Sequence, residues 1–253
     1  LGHQDAGSCG SCDLTEVDTP TAMGGALGYA AEFLDASVQY AKRTDDGTFD
    51  PGTSDFWLST WMKLHSLPNT GTVFYKGAAA AGEGQPGYWL RYNGTPQVLI
   101  YFSDGSADRL LLSSAVQTLI DARVHVLATF DRDDKMHLYI NGIEEGTGVS
   151  ISAQNGSIDS ATDLYVGGTG GTTMNVDGLF GQMTYGLGLP GSAVRTSIYN
   201  SGKGKACADL TAAEKANMDS CWEMDEAGGP YTDTISSEVL TAVNTPTRAN
   251  GLV

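Results

Sequence analysis

Apolar and polar residues alternate with a period of two along most of the chain. The clearest case is Arg123–Gly142, where Val124, Val126, Ala128 and Phe130 alternate with His125, Leu127 and Thr129. After the polar break Arg132-Asp-Asp-Lys135, Met136, Leu138 and Ile140 alternate with His137 and Tyr139. Two such runs about a short polar turn predict a β-hairpin with one face on a core. Asn141-Gly142 marks a second turn. Asp55–Leu64 predicts a strand with Phe56, Leu58, Thr60, Met62 and Leu64 on one face and Trp57, Ser59, Trp61 and Lys63 on the other. Further strands are predicted at Ala26–Leu34, Ser37–Arg43, Gly71–Lys76, Tyr88–Tyr92, Gln97–Phe102, Arg109–Ser113, Val149–Ile151, Leu164–Gly167 and Leu179–Leu187. Late in the chain the period changes. Ser192 is placed to cap a helix to Tyr199, and Thr211-Ala-Ala-Glu214 is a capping box opening a helix that ends near Ser220. Many short strands with two late helices predict an all-β fold, a two-sheet antiparallel jelly-roll sandwich.

Composition narrows the partners. The net charge is −16 and only 17% of residues are charged. Phosphate neutralisation needs clustered Lys and Arg, so nucleic acid is excluded as a partner. No run reaches the roughly 20 apolar residues of a membrane span, so insertion is not expected. Four cysteines sit towards the two ends, Cys9, Cys12, Cys207 and Cys221. They are expected to form disulfides, with Cys207–Cys221 a plausible local bridge across the second helix. Cys9-Gly-Ser-Cys12 has redox-motif spacing but opens no predicted helix. Disulfides place the chain outside the cell, on a cell surface or on a virion.

Several stretches resemble one family. Phe56-Trp-Leu-Ser-Thr-Trp-Met-Lys-Leu64, Arg123-Val-His-Val-Leu-Ala-Thr-Phe-Asp131, Leu138-Tyr-Ile-Asn-Gly142, Asp163-Leu-Tyr-Val-Gly-Gly168 and Val176-Asp-Gly-Leu-Phe-Gly181 follow in the order of the laminin G-like domains. These belong to the concanavalin A-like jelly-roll superfamily. Tyr199–Gly204, Ala208–Thr211 and Trp222–Glu226 resemble the junction between tandem modules of this kind, as seen in phage and environmental proteins. Leu14-Thr-Glu-Val-Asp-Thr-Pro-Thr21 parallels Leu240-Thr-Ala-Val-Asn-Thr-Pro-Thr247 at six of eight positions, an internal repeat 226 residues apart. The expected organisation is an N-terminal segment over 1–24 and a module over 25–205. A helix and strand over 206–253 then complete either their own sandwich or a neighbour's.

Two functions follow from these readings. The leading one is a non-catalytic structural or adhesive module that self-associates head to tail, with Trp222 and Met224 on the strand that completes the next copy. The other is a Ca²⁺-dependent lectin module. The resemblance implies a cation at a rim, with Asp35 and Asp177 as carboxylates, although Gly181-Gln182 stands where the family carries a second acidic pair. Trp57 and Trp61 share a strand face, with Trp89 as a further aromatic for stacking on sugar rings. A glycoside hydrolase is a distant third. Glu223 and Asp225 begin the paired-carboxylate strand of the superfamily's glycosidases but lack its last acid. His125 and His137 face each other across the hairpin and are the candidates for a zinc pair.

Overall fold

The computed structural model describes residues 28–67, 70–77, 84–113 and 119–250. Its strands are β1 (Tyr29–Phe33), β2 (Tyr40–Arg43), β3 (Phe56–Leu64), β4 (Thr70–Gly77), β5 (Gly87–Asn93), β6 (Val98–Ser103), β7 (Asp108–Leu112), β8 (Val124–Phe130) and β9 (Lys135–Ile140). There follow β10 (Ile143–Glu144), β11 (Val149–Ser150), β12 (Leu164–Val166) and β13 (Gly178–Leu187), then helices α1 (Ser192–Tyr199) and α2 (Ala212–Lys215). The chain closes with β14 (Ser220–Trp222), β15 (Tyr231–Thr232), β16 (Val239–Val243) and β17 (Thr247–Asn250).

These strands form two antiparallel sheets. The nine-stranded sheet runs β10-β9-β8-β3-β13-β1-β17, with β11 on β9 and β14 on β13. The eight-stranded sheet runs β15-β16-β2-β12-β4-β5-β6-β7. Inward side chains of both sheets interlock into one core, including Phe33, Phe56, Met62, Phe74, Tyr88, Ile100, Phe130, Phe180 and Leu240. The predicted hairpin is β8–β9, paired from Val126↔Ile140 to Phe130↔Met136. Inward apolar positions thus fall at every second residue on both of its strands.

The tail joins both sheets. Residues 206–250 supply strands to both sheets of their own chain, β14 to β13, β16 to β2 and β17 to β1. Strand β13 is the reason a slot exists for β14. Its Gly178–Phe180 half pairs with β1, and its Met183–Tyr185 half pairs with β14 beyond a register shift at Gly181/Thr184. The bulged residue Gln182 takes φ 44°. Trp222 and Met224, expected to complete another copy, are fully buried in this chain's core. In this chain their apolar bulk packs into its own core.

Both helices lie on the outer face of the nine-stranded sheet. Helix α1 starts after Gly191 rather than being capped by Ser192. The Thr211–Glu214 capping box is present with both reciprocal bonds, but α2 is a single turn rather than reaching Ser220. The Cys207–Cys221 disulfide joins the turn before α2 to β14, with its Cα atoms 5.9 Å apart. Cys9 and Cys12 lie outside the described residues. Glu214 sits in the cap with Lys205 Nζ donating to it at 2.6 Å, beside donors from Ser197 and Thr211.

Candidate functional site

Trp57 and Trp61 do not form a glycan surface. Their relative exposures are 0% and 1%. They face outward from β3, and the α1–α2 layer covers them. Trp57 Nε1 donates to the Asn217 carbonyl at 2.6 Å. Trp61 stacks on Tyr199, with ring centroids 5.9 Å apart, and the Arg123 guanidinium lies 4.1 Å over its ring. An alternating strand reads as half-exposed, and here a helical layer buries its second face as well.

Trp89 lies elsewhere, on the outer face of the eight-stranded sheet. The register carries one row straight across that face: Thr241, Lys42, Tyr165, Tyr75, Trp89, Tyr101 and Leu110. Trp89 and Tyr101 stack in parallel with centroids 4.9 Å apart, and the Arg91 guanidinium sits 4.3 Å over the Trp89 ring. Tyr165 lies 6.0 Å from Tyr40 and 6.1 Å from Tyr75. Trp89 and Tyr101 therefore use ring faces on each other, while Tyr40 and Tyr165 remain half-buried beside the rim. The tyrosines of this ladder were missed from sequence. The available signal was an aromatic at matching outward positions of β2, β4, β6 and β12.

Asp35 and Asp177 are brought to the same corner. Phe33 pairs with Gly178, so the chain leaves the sheet at Asp35 and enters it from Asp177 side by side. Burial pushes the Tyr92 hydroxyl well above its ordinary value, and the charges of Asp177 and Asp35 add to that rise. One phenol therefore feels both carboxylates. Ser66 Oγ donates to Asp177 Oδ2. Two positions before Asp177, Asn175 is 0% exposed, and neither its Oδ1 nor its Nδ2 has a hydrogen-bond partner. Its Oδ1 lies 2.5 Å from where a Cβ on Gly168 would be, so a side chain there would displace the amide. A buried, unbonded amide costs about 1–3 kcal/mol, and an oxygen aimed at a cation would recover that cost. Among the described residues no cluster holds three His, Cys, Asp or Glu groups suited to a metal. The chain thus carries two carboxylates and an amide, all oxygen donors, on stretches that leave and enter the sheet side by side. Such an all-oxygen set suits a hard cation completed by carbonyls and solvent, and it does not suit zinc.

The remaining candidates separate. His125 is buried with Nε2 2.8 Å from Ser59 Oγ, and burial holds the imidazole down to about 3. His137 Nδ1 meets Glu144 at 2.6 Å instead. The hairpin register sets His137 opposite Thr129 rather than His125, so the zinc pair does not form. The Glu223–Asp225 alternation is also lost, because Met224 takes φ 61° and the strand ends at Trp222. Glu223 accepts from the Cys207 backbone N–H. Its carboxyl is raised to about 7, first by burial and then by the charges of Asp225 and Asp209. A folded-state value above the unfolded one stabilises the protein below about pH 4.5, and that stability is lost as pH rises through 7. Glu223→Gln is therefore expected to be about 2 kcal/mol more stable than the parent at pH 8 and close to it at pH 4. Urea denaturation at the two pH values measures this, and equal stabilities at pH 8 would refute it.

Comparison with known proteins agrees with this architecture. No curated protein matches the chain. Among solved structures, a candidate carbohydrate binding protein from Bacteroides ovatus superposes with a TM-score of 0.62 at 15% identity, covering 88% of this chain and 60% of that one. The chain thus spans about three fifths of that relative's length. A heptameric SAP-like pentraxin from Limulus polyphemus gives a TM-score of 0.58 at 11% identity, covering 88% of this chain and 95% of that one. At such identities these two likenesses speak to the fold alone. The Laminin_G_3 family model matches residues 35–185, the stretch that runs from the Asp35 corner through the hairpin to β13. With two jelly-roll sheets built around that stretch, the chain belongs to this laminin G family of the concanavalin A-like lectin/glucanase superfamily.

Proposed function

We propose that the protein is a glycan-binding module that holds Ca²⁺ at the Asp35–Asn175–Asp177 corner and seats a sugar across the adjoining Tyr40–Tyr165 surface. The observation that carries this reading is Asn175, fully buried with both amide atoms unbonded, two residues before Asp177. Asp35, Asp177 and the Asn175 oxygen would hold the ion, which would offer open positions to sugar hydroxyls. The tyrosines would contribute apolar ring surface. The superfamily's lectin description and the B. ovatus neighbour, a candidate carbohydrate binding protein, support the glycan class. The disulfide fits an exported setting, where such bonds persist, and no helix among the described residues is long and apolar enough to cross a membrane.

Calcium at about one hundred times its Kd would stabilise the fold by about 2.7 kcal/mol. That corresponds to a rise of about 5–10 °C in Tm for a chain of this size. The shift is expected to vanish in Asp35→Asn/Asp177→Asn. Tyr40→Ala/Tyr165→Ala is expected to keep the shift and lose glycan-array signal, which EDTA should also abolish in the parent. A Tm indifferent to calcium, or glycan binding indifferent to EDTA, would sink the proposal.

A further inference from the structure

Helix α1 roofs the outer face of β8 and β9 and leaves a cavity of about 220 Å³ beneath it. The floor is His125, Leu127 and Tyr139, and the helical wall is Ser192, Arg195 and Thr196. Strands β3 and β13 separate it from β1, where the chain turns off towards Asp35. The cavity is therefore independent of the calcium corner.

The floor holds a buried polar group with nothing to bond. His125 is 1% exposed, and its Nδ1 has no hydrogen-bond partner among the described residues. The proton on that ring can be placed. Ser59 Oγ meets His125 Nε2 at 2.8 Å, its one partner among the described residues. A hydroxyl with no other acceptor gives its proton to Nε2, which leaves the ring proton on Nδ1. Burial keeps the imidazole neutral at pH 7. Nε2 turns towards Ser59 on β3, so the ring edge that carries Nδ1 turns towards β9, the side on which the cavity lies. The orphan is thus a donor, and it needs an acceptor.

The wall supplies charge. Arg195 lies 4.7 Å over the Tyr139 ring, and its Nη1 donates to the Pro190 carbonyl at 2.8 Å, which fixes the guanidinium. Among the described residues no carboxylate lies within ion-pair distance of it. Glu144, the acid whose charge reaches Tyr139, is held by His137 Nδ1 at 2.6 Å. No side chain caps the first turn of α1, so the positive end of the helix dipole also stands at this wall. We infer that the cavity under α1 binds a small organic carboxylate, with Arg195 pairing with its charge and the His125 Nδ1–H donating from the floor. An inorganic ion would leave Leu127 and the Tyr139 ring uncovered. A cavity of about 150 Å³ takes benzene, so this one has room for an acid of benzoate's size.

Benzoate is the probe, titrated into the full chain in EDTA so that calcium plays no part. Saturable binding is expected by calorimetry, with amide shifts centred on Leu127, Tyr139 and Gly142. Nitrogen NMR should find the neutral His125 protonated at Nδ1, and benzoate should move that proton downfield. Arg195→Gln should keep the parent's Tm and weaken benzoate about tenfold or more, the loss of one charged hydrogen bond. Benzamide, of the same shape without the charge, should bind as weakly to the parent as benzoate does to Arg195→Gln. The inference is overturned if benzoate does not saturate, if its shifts centre elsewhere, or if His125 carries its proton on Nε2. Benzamide or sulfate binding as tightly as benzoate, or Arg195→Gln binding it like the parent, overturns it equally.

Discussion

Lys76→Met is expected to lose about 3–5 kcal/mol of stability at pH 7, the cost of removing one partner from a buried ionic cluster. Lys76 is 1% exposed at the end of β4. Its Nζ lies 2.6 Å from Asp45 Oδ1 and 3.1 Å from Asp50 Oδ1. It also donates to the Ser160 and Thr162 carbonyls at 2.6 and 2.7 Å. One ammonium therefore ties the loop before β3 to the loop before β12. Asp50 strengthens that tie by accepting from the Ser160 N–H at 3.1 Å. Methionine fills the space but supplies no donor, so two carboxylates and two carbonyls would face one another.

The pH dependence follows from those carboxylates. The Lys76 bond holds Asp45 below its ordinary value, against an opposing push from burial. That contribution is present above about pH 4 and is lost as pH falls. Asp50 is raised by burial, with Lys76 pulling the other way, so it protonates readily once the ammonium is gone. The gap between parent and Lys76→Met should therefore narrow as pH falls from 7 to 4. Urea midpoints at both pH values check this. A loss under about 1 kcal/mol at pH 7, or a gap that does not narrow, would show that Lys76 is not the tie between the loops.

This cluster marks where sequence reading stops. Strands are legible because a period-two pattern is local, and the predicted runs between Ser37 and Leu187 each contain part or all of a strand, although Ser37 itself ends a 3-10 turn ahead of β2. The capping box is legible for the same reason, since its two partners are three residues apart. Lys76 reads as a solvent-facing end of a strand. Only the approach of loops 31 and 84 residues away turns it into a core residue. Trp57 and Trp61 show the same limit from the other side. Alternation identifies their face, but whether that face meets water or a helical layer is decided by residues 190–218, far along the chain. For the candidate site, Asp35 and Asp177 were readable from the resemblance, whereas Asn175 was not. An asparagine before Val176-Asp-Gly reads as an ordinary loop residue, and only its burial without partners singles it out.

Trp222→Ala is expected to be the other costly substitution, and it decides how the tail is used. Trp222 pairs with Met183 of β13, is wholly buried, and packs 5.6 Å from Phe49. Its Nε1 donates to the Glu238 carbonyl at 3.0 Å, which fixes the loop leading into β16. Truncating a buried tryptophan costs about 3–5 kcal/mol, and for a chain of this size that lowers Tm by roughly 10 °C. The neighbouring Cys221 is held to Cys207, so the strand stays covalently near its slot even after truncation. The loss should therefore appear as lowered stability without dissociation of the tail. If the tail instead completed a neighbouring copy, the outcomes would separate cleanly. The isolated monomer would keep its Tm after Trp222→Ala, and the loss would fall on a concentration-dependent assembly seen by sedimentation. Thermal melts of the monomer peak, run at two concentrations, distinguish these results. A concentration-independent fall of about 10 °C is the expected one, because the indole packs on Phe49 and bonds the Glu238 carbonyl of its own chain.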